Sequence, residues 1–499
     1  MAKSIMILGT GSDVGKSIVT TAICRIIKRR GYKVAPFKAQ NMSNNSFVTL
    51  EGGEIGRAQV VQAEAAGLIP SIHMNPILLK PSSGIGSQVI IQGKVFGQMD
   101  AVNYHDFKPE LRRKVFDSYN RLAQGYDVIV MEGAGSCCEM NLKDNDLVNF
   151  SMAKALGAPC ILVADIDRGG VFAQVIGSFH LMTKKEKDLT MGFLINKFRG
   201  DLKLFESGIE YIEEKTHKPV IGLVPFYEDI YIDPEDSVGV QPDKWTAKPV
   251  SSRSINVAVL KLPAISNFTD LAILERETDI VLNYVFKPDD LLKDYDLLIL
   301  PGTKNAMEDA AWLDRSGWKK IIRKFVQDGR WVFGICGGYQ LLGEKIKDPS
   351  GVESKRKAVG GLGLLPVETV LAENKVVQKV SGLTLIDRKR VSGYEIHMGQ
   401  SRILRENGKP FLEIHCPGRH HTWEDGCYAL DGRVAGTYVH GILDAPGFRG
   451  DLLNRLRRAK GLRARPAKQG RLARFHQYER LADHFERHCD MDKILEMLN

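Results

Sequence analysis

A thiol stands between glycines at Gly334-Ile335-Cys336-Gly337-Gly338, where an apolar run, residues 331–333, gives way to a helical pattern. The spacing is that of a nucleophile elbow with Cys in place of Ser. A turn this sharp needs small residues on either side, and it pushes the central side chain out above a sheet edge. The positive end of the following helix favours thiolate there. A thiol nucleophile needs a base, and His440 closes a β-prone run, residues 436–439, in the same half of the chain. A Cys–His pair within hydrogen-bond reach supplies a thiolate and a proton for a leaving amine. The oxyanion formed on attack would be met by the N–H of Gly337 and a second N–H in the Gly302-Thr303 turn.

A second chemistry lies at the other end of the chain. Residues Gly9, Thr10, Gly11, Ser12, Asp13, Val14, Gly15, Lys16 and Ser17 follow a short apolar run and open a helix. The loop is close to a Walker A sequence, with one extra spacer because position 10 is Thr. Its backbone N–H groups would cradle phosphates, Lys16 would meet the terminal phosphates and Ser17 would coordinate Mg²⁺. Glu132 directly follows a buried run, residues 127–131, and is well placed as a further Mg²⁺ ligand. Lys38, at the end of the second apolar run, is a candidate for stabilising charge on a transferred phosphoryl group.

These residues need two frameworks. Apolar runs near residues 4–8, 33–37, 127–131, 160–165, 191–197 and 219–225 alternate with helical patterns, which predicts a parallel sheet around a nucleotide site. Residues 232–253 are rich in Pro, Ser and Asp and read as a linker. A second α/β pattern starts at residue 255, with a strand at 296–300, one helix from about 308 to 327, and the elbow. The expected fold class is therefore α/β, with two doubly wound α/β domains: a P-loop domain over 1–232 and an amidase domain over 254–447. A helical tail over 448–499 follows the linker (233–253) and second domain.

Composition fits this. The chain has 499 residues, 43% hydrophobic and 26% charged, enough to bury sizeable cores. No apolar run approaches the ~18 residues of a membrane span, and the N-terminus runs straight into the glycine loop, so a cytoplasmic protein is expected. Eight scattered cysteines, two of them adjacent, outline no disulfide framework. Much of the net charge of +9 falls in the tail, at Arg455, Arg457, Arg458, Lys460, Arg463, Arg465, Lys468, Arg471 and Arg474. This run reads as a solvated helical surface. No nucleic-acid-binding module accompanies it, so no nucleic-acid partner is expected. His415, Cys416, His420, His421 and Cys427 fit none of the common zinc spacings and read as a loop between strands. The sequence sets no oligomeric state.

The second half resembles the triad-type (class I) glutamine amidotransferases, through the Gly-Ile-Cys-Gly-Gly-Tyr-Gln elbow, the Leu-Pro-Gly-Thr-Lys turn and the Thr-Tyr-Val-His-Gly ending. Usual members carry Glu two residues after the His, where this chain has Ile442. Asp444 is the nearest acid. The departure matches the cobyric acid and cobyrinic acid diamide synthase subfamily, which works with a Cys–His pair. The first half resembles the dethiobiotin synthetase-like branch of P-loop enzymes. Such enzymes usually offer another acidic Mg²⁺ ligand after the second strand. That stretch is Asn-rich here, and Glu54 is the substitute. By the same resemblance Asn196 would recognise adenine.

Residues 39–45, 54–59, 167–170 and 196–201 make the whole chain resemble the cobyric acid synthase family. That resemblance implies small-molecule substrates: ATP with Mg²⁺, glutamine and a corrinoid. Glutamine would be hydrolysed at Cys336, and ammonia would pass to the first domain. There ATP would activate the b, d, e and g carboxylates of adenosylcobyrinic acid a,c-diamide in turn. One alternative is an a,c-diamide synthase, which the Asn-rich stretch disfavours. Another is a partitioning-type ATPase switch with a non-catalytic amidase-like domain. The absence of a second Lys between Gly9 and Gly15 and the intact Cys336–His440 pair disfavour it.

Overall fold

Alternate residues of the first strand bury both its faces. Ile5 and Ile7 enter one core, and Met6 and Leu8 enter another on the opposite side. In the computed structural model, which describes residues 2–81, 86–235, 245–292, 294–468 and 470–498, this strand lies in the middle of a six-stranded parallel sheet. Its strands are β1 (Lys3–Gly9), β2 (Val34–Phe37), β3 (Val128–Glu132), β4 (Cys160–Asp165), β5 (Thr190–Phe198) and β6 (Val220–Pro225), in the order β6-β5-β4-β1-β3-β2. The register pairs Ile7 with Glu132 and Phe37 with Met131, so the ends of β1, β2 and β3 open on one edge. The loop after β1, Lys38 and Glu132 are brought together by that register, and helix α1 (Lys16–Arg29) starts there.

The second sheet contains β7 (Ile255–Leu260), β8 (Ile280–Val285), β9 (Leu297–Leu300), β10 (Trp331–Ile335), β11 (Cys427–Ala429) and β12 (Val434–Thr437). Their order is β8-β7-β9-β10-β12-β11, and β11 alone runs antiparallel to its neighbour. Leu300 pairs with Gly334, and Ile335 with Thr437, so the Gly302 turn, Cys336 and His440 all leave at the same edge. The single helix expected near 308–327 is two, Ala306–Arg315 and Trp318–Gln327, because Gly317 takes a left-handed φ of 80° between them. A long antiparallel hairpin, Val367–Thr384 with Arg390–Ile403, reaches from this half towards the first domain, with a register break between Leu371 and Val376. Residues 412–415 and 422–425 pair as a short hairpin, so the His/Cys cluster frames a strand connection.

The tail differs most from its reading as a solvated surface. Helix α3 (Pro446–Ala459) buries Phe448, Leu452, Leu453 and Leu456 in the second domain's core. Two of its arginines and the lysine that follows it are paired inward: Arg449 Nε donates to Glu277 at 2.9 Å, Arg457 grips Asp279 with two bonds, and Lys460 reaches Asp296 at 2.7 Å. Helix α4 (Gly470–His488) and the short α5 (Met491–Glu496) then cross back to the first domain. Leu481, Ala482, Phe485, Met491 and Ile494 share a core with Ile5, Ile7 and α1. Arg29 of α1 is bound by Glu479, Asp483 and Glu486. The chain's end thus straps the two domains together. Among the described residues no helix is long and apolar enough to cross a membrane.

Candidate functional site: a thiol site and a phosphate site joined by one segment

Cys336 caps helix α2 (Gly337–Leu342) with φ 52° and ψ −109°, a combination outside the usual regions for a residue with a side chain. Such backbone costs about 1–3 kcal/mol and persists only where its surroundings enforce it. Here the enforcement is close packing. A Cβ at Gly338 would lie 1.9 Å from the Leu300 carbonyl oxygen, so no other residue lets the elbow close on β9. A Cβ at Gly337 would lie 2.9 Å from the Thr303 nitrogen, which places the Gly337 and Thr303 backbones side by side, next to the sulfur. The thiol donates to the Ile396 carbonyl at 3.4 Å.

His440 is 2% exposed. Its ring stacks on Tyr394 at 5.4 Å, and the two backbones exchange hydrogen bonds of 2.8 and 3.1 Å. Its Nδ1 lies 2.6 Å from Asp270 Oδ2, and the other oxygen of Asp270 accepts from the Gly441 N–H at 3.0 Å. Burial alone would lower the imidazole's pKa, but Asp270 and Cys336 outweigh it and push it up to about 10. Asp270 is therefore the third member of a Cys–His–Asp arrangement. Asp444 is not: it is bound by Arg474 at 2.9 Å. Asp270 is not legible in the sequence because it sits in a turn after the first strand of its domain, 170 positions from the histidine. Its only sequence signal is a largely polar stretch, Ser266-Asn267-Phe268-Thr269-Asp270, downstream of the strand Ile255–Leu260.

At the phosphate loop, Gly15 takes φ 100°, a region glycine enters without strain. Lys16 Nζ donates to the carbonyls of Gly11 and Gly135 at 2.8 and 2.9 Å. Ser17 Oγ lies 2.8 Å from both Glu132 Oε1 and Glu235 Oε2. Lys38 Nζ donates to the same two carboxylates at 2.8 Å each, and Gln62 donates to Glu132. Burial works to lower the Lys38 pKa, yet Glu132 and Glu235 raise it overall. Burial likewise works to raise Glu235, and Lys38 brings it down.

Glu235 takes the place expected of Glu54. Glu54 is fully buried elsewhere, held by Lys80 at 2.7 Å and by Lys375 of the hairpin at 2.5 Å. Two ammonium groups outweigh the burial that would raise its pKa and hold it well below the usual carboxylate range. Burial, helped by Lys80 and Lys304, lowers Lys375 to about 7. Glu235 carries no signal in the sequence because it lies in the Pro-, Ser- and Asp-rich stretch that reads as a linker. Residues 236–244 of that stretch lie outside the described residues. Asn196 sits under the loop, its Nδ2 donating to the Val14 carbonyl at 2.9 Å. It props the phosphate loop, and an adenine contact through Nδ2 would require giving up that bond.

The two sites are joined by residues 43–46. Ser43 Oγ and Asn45 Nδ2 donate to the Glu235 carbonyl at 2.9 and 3.0 Å. One residue further on, Ser46 N–H donates to Asn267 Oδ1 at 3.0 Å, and Ser46 Oγ accepts from Lys80 at 2.9 Å. Asn267 and Lys80 line the thiol pocket with Cys336 and His440.

Two family models match: a CobQ/CobB/MinD/ParA nucleotide binding domain over residues 5–239 and a CobB/CobQ-like glutamine amidotransferase domain over 256–448. A cobyric acid synthase of Syntrophobacter fumaroxidans is 46% identical over 508 aligned residues, covering 99% of this chain and 98% of that one. The chain belongs to the cobyric acid synthase family. Family members from Listeria innocua (45% identical; 99% and 96% covered) and Chlorobium phaeobacteroides (44%; 99% of both) match over the same length. Membership of a cobyric acid synthase family with these two domain models makes the chain an ATP-utilising, glutamine-hydrolysing amidotransferase.

Proposed function

We propose that this chain amidates the b, d, e and g side-chain carboxylates of adenosylcobyrinic acid a,c-diamide to give adenosylcobyric acid. The observation that carries the reading is a thiol–imidazole–carboxylate site and a phosphate site on one chain, bridged by four consecutive residues. The full-length likeness to cobyric acid synthases supports the choice of substrate.

In the amidase half, the Cys336 sulfur attacks the carboxamide carbon of glutamine. The oxyanion is met by the Gly337 N–H and the Gly302-Thr303 turn. His440, held by Asp270, gives its proton to the departing nitrogen, which leaves as ammonia. Water then cleaves the thioester to glutamate, with His440 taking the water's proton.

In the ATPase half, a corrinoid carboxylate oxygen attacks the γ-phosphorus and ADP leaves. Ammonia adds to the acyl carbon and phosphate departs. Residues Gly9 to Ser17 cradle the nucleotide phosphates, and Lys16 and Lys38 offset charge on the transferred group. The donor set suits Mg²⁺. Ser17, Glu132 and Glu235 present only oxygen, and Mg²⁺ prefers a few carboxylates together with phosphate oxygens and water. Bound there, the ion would shield the phosphate oxygens. A cavity of about 480 Å³ beside this cluster, lined by Lys16, Lys38, Asn41 and Ser136, gives a corrinoid side chain its approach.

The test is Cys336→Ala. The variant should lose glutamine-dependent amidation and keep amidation driven by added ammonium. Glutamine-dependent amidation surviving in the variant would overturn the division of labour.

A further inference from the structure

The thiol pocket holds one cation that the chemistry above leaves unused. Lys304 follows the Gly302-Thr303 turn directly, and its N–H is fixed to the Ala264 carbonyl at 2.8 Å. Its side chain lines the pocket with Cys336, Gln340 and His440 and is partly buried. The other two lysines of this pocket, Lys80 and Lys375, are both committed to Glu54. Among the described residues the Lys304 ammonium makes no hydrogen bond and no ion pair, and Glu353 and Glu54 act on it only at longer range. A partly buried, unpaired ammonium carries part of the desolvation cost of its charge unless a ligand supplies the counter-charge. Burial accordingly lowers its pKa, with Lys80 adding to the effect and Glu353 opposing it.

The balance of charge around the pocket has the same sense. Lys80, Lys304 and Lys375 face Glu54 and Glu353, which leaves one positive charge in excess when all are ionised. Burial pushes Glu353 up to about 7 and Lys375 down to about 7, so these two shifts offset and the excess remains. A substrate that presents its carboxamide to the sulfur needs an anion at its other end to meet this excess.

We propose that Lys304 binds the α-carboxylate of the substrate glutamine, and so selects a free α-amino acid amide over other primary amides. The inference rests on the glutamine-hydrolysing reading of the Cys336 site and adds the group that recognises the far end of the substrate. It also assigns a role to the position after the oxyanion turn. One short segment, 302–304, would hold both the reacting oxygen and the distant charge, fixing the distance between them.

The test compares hydrolysis of glutamine with that of 4-aminobutanamide, which is glutamine without its α-carboxylate, in the full-length enzyme and in Lys304→Met and Lys304→Arg. The readout is the ratio of kcat/KM for the two amides. That ratio is internal to each preparation and does not move if part of a variant misfolds. The wild type should prefer glutamine by roughly 10- to 100-fold, the size expected when a buried charged group loses its partner. Lys304→Met should bring the ratio close to one by raising KM for glutamine, and Lys304→Arg should restore most of the preference. A wild-type ratio near one, or a Lys304→Met ratio equal to that of the wild type, would overturn the assignment while leaving the amidase reading intact. Failure of the wild type to hydrolyse either amide would instead remove the amidase reading itself.

Discussion

Asp270 keeps His440 protonated far above the imidazole's ordinary 6.5, up to about 10. The stabilisation from this pair is full below about 6.5 and is lost as pH rises through 10. Asp270→Asn preserves the shape and removes the charge. Its alkaline limb for glutamine hydrolysis should move down towards the ordinary range, with kcat/KM lowered on the order of 10²- to 10⁴-fold. A pH–rate profile checks both. Glu235→Gln is the matching test in the other half. It should raise the Mg²⁺ concentration needed for half-maximal ATP-dependent amidation by roughly ten-fold or more, since even groups behind a metal ligand are worth that much. A Mg²⁺ titration of wild type and variant measures it. The difference in legibility between residues has a plain cause. Cys336 and the Gly9–Ser17 loop are readable because the turn around each one dictates its neighbours. Asp270 and Glu235 acquire their partners only through tertiary placement, and nothing beside them in the chain records that.

At the scale of elements, register explains why the sites assemble. Strand ends expected from apolar runs fall on one edge of each sheet, and the polar groups that follow them converge. Helix boundaries followed glycine where glycine took a left-handed φ, as at Gly317, which the reading of one helix over 308–327 passed over. The tail was the least legible element. Its arginines resemble a solvated face in sequence, but Arg449 and Arg457 are essentially unexposed because Glu277 and Asp279 wait for them 172 and 178 positions earlier. Helix α4 continues the strap with Phe485, 1% exposed against α1 and β1. Phe485→Ala should cost about 3–5 kcal/mol of stability, read as a lowered midpoint in denaturant. The loss should fall on the transition of the ATPase half.

At the scale of the whole molecule, the two chemistries need each other. Ammonia freed into water at neutral pH is mostly protonated, and ammonium is no nucleophile, so a protein seam between the sites has a use. The seam here is polar and ordered: residues 43–46 touch both sites, and Lys375 reaches across from the hairpin to Glu54. The hairpin's register break lies where Lys375 leaves its strand, so the irregularity aims a cation at the neighbouring domain. The central claim is that nitrogen released at Cys336 is delivered to the activated carboxylate at the phosphate site. The most direct measurement supplies ATP, Mg²⁺, adenosylcobyrinic acid a,c-diamide and glutamine labelled with ¹⁵N in its side-chain amide, in a bath of unlabelled ammonium. The corrinoid product is then weighed by mass spectrometry. Four new carboxamides carrying ¹⁵N are predicted. New carboxamides carrying mainly the nitrogen of the bath, or no new carboxamides at all, would contradict it.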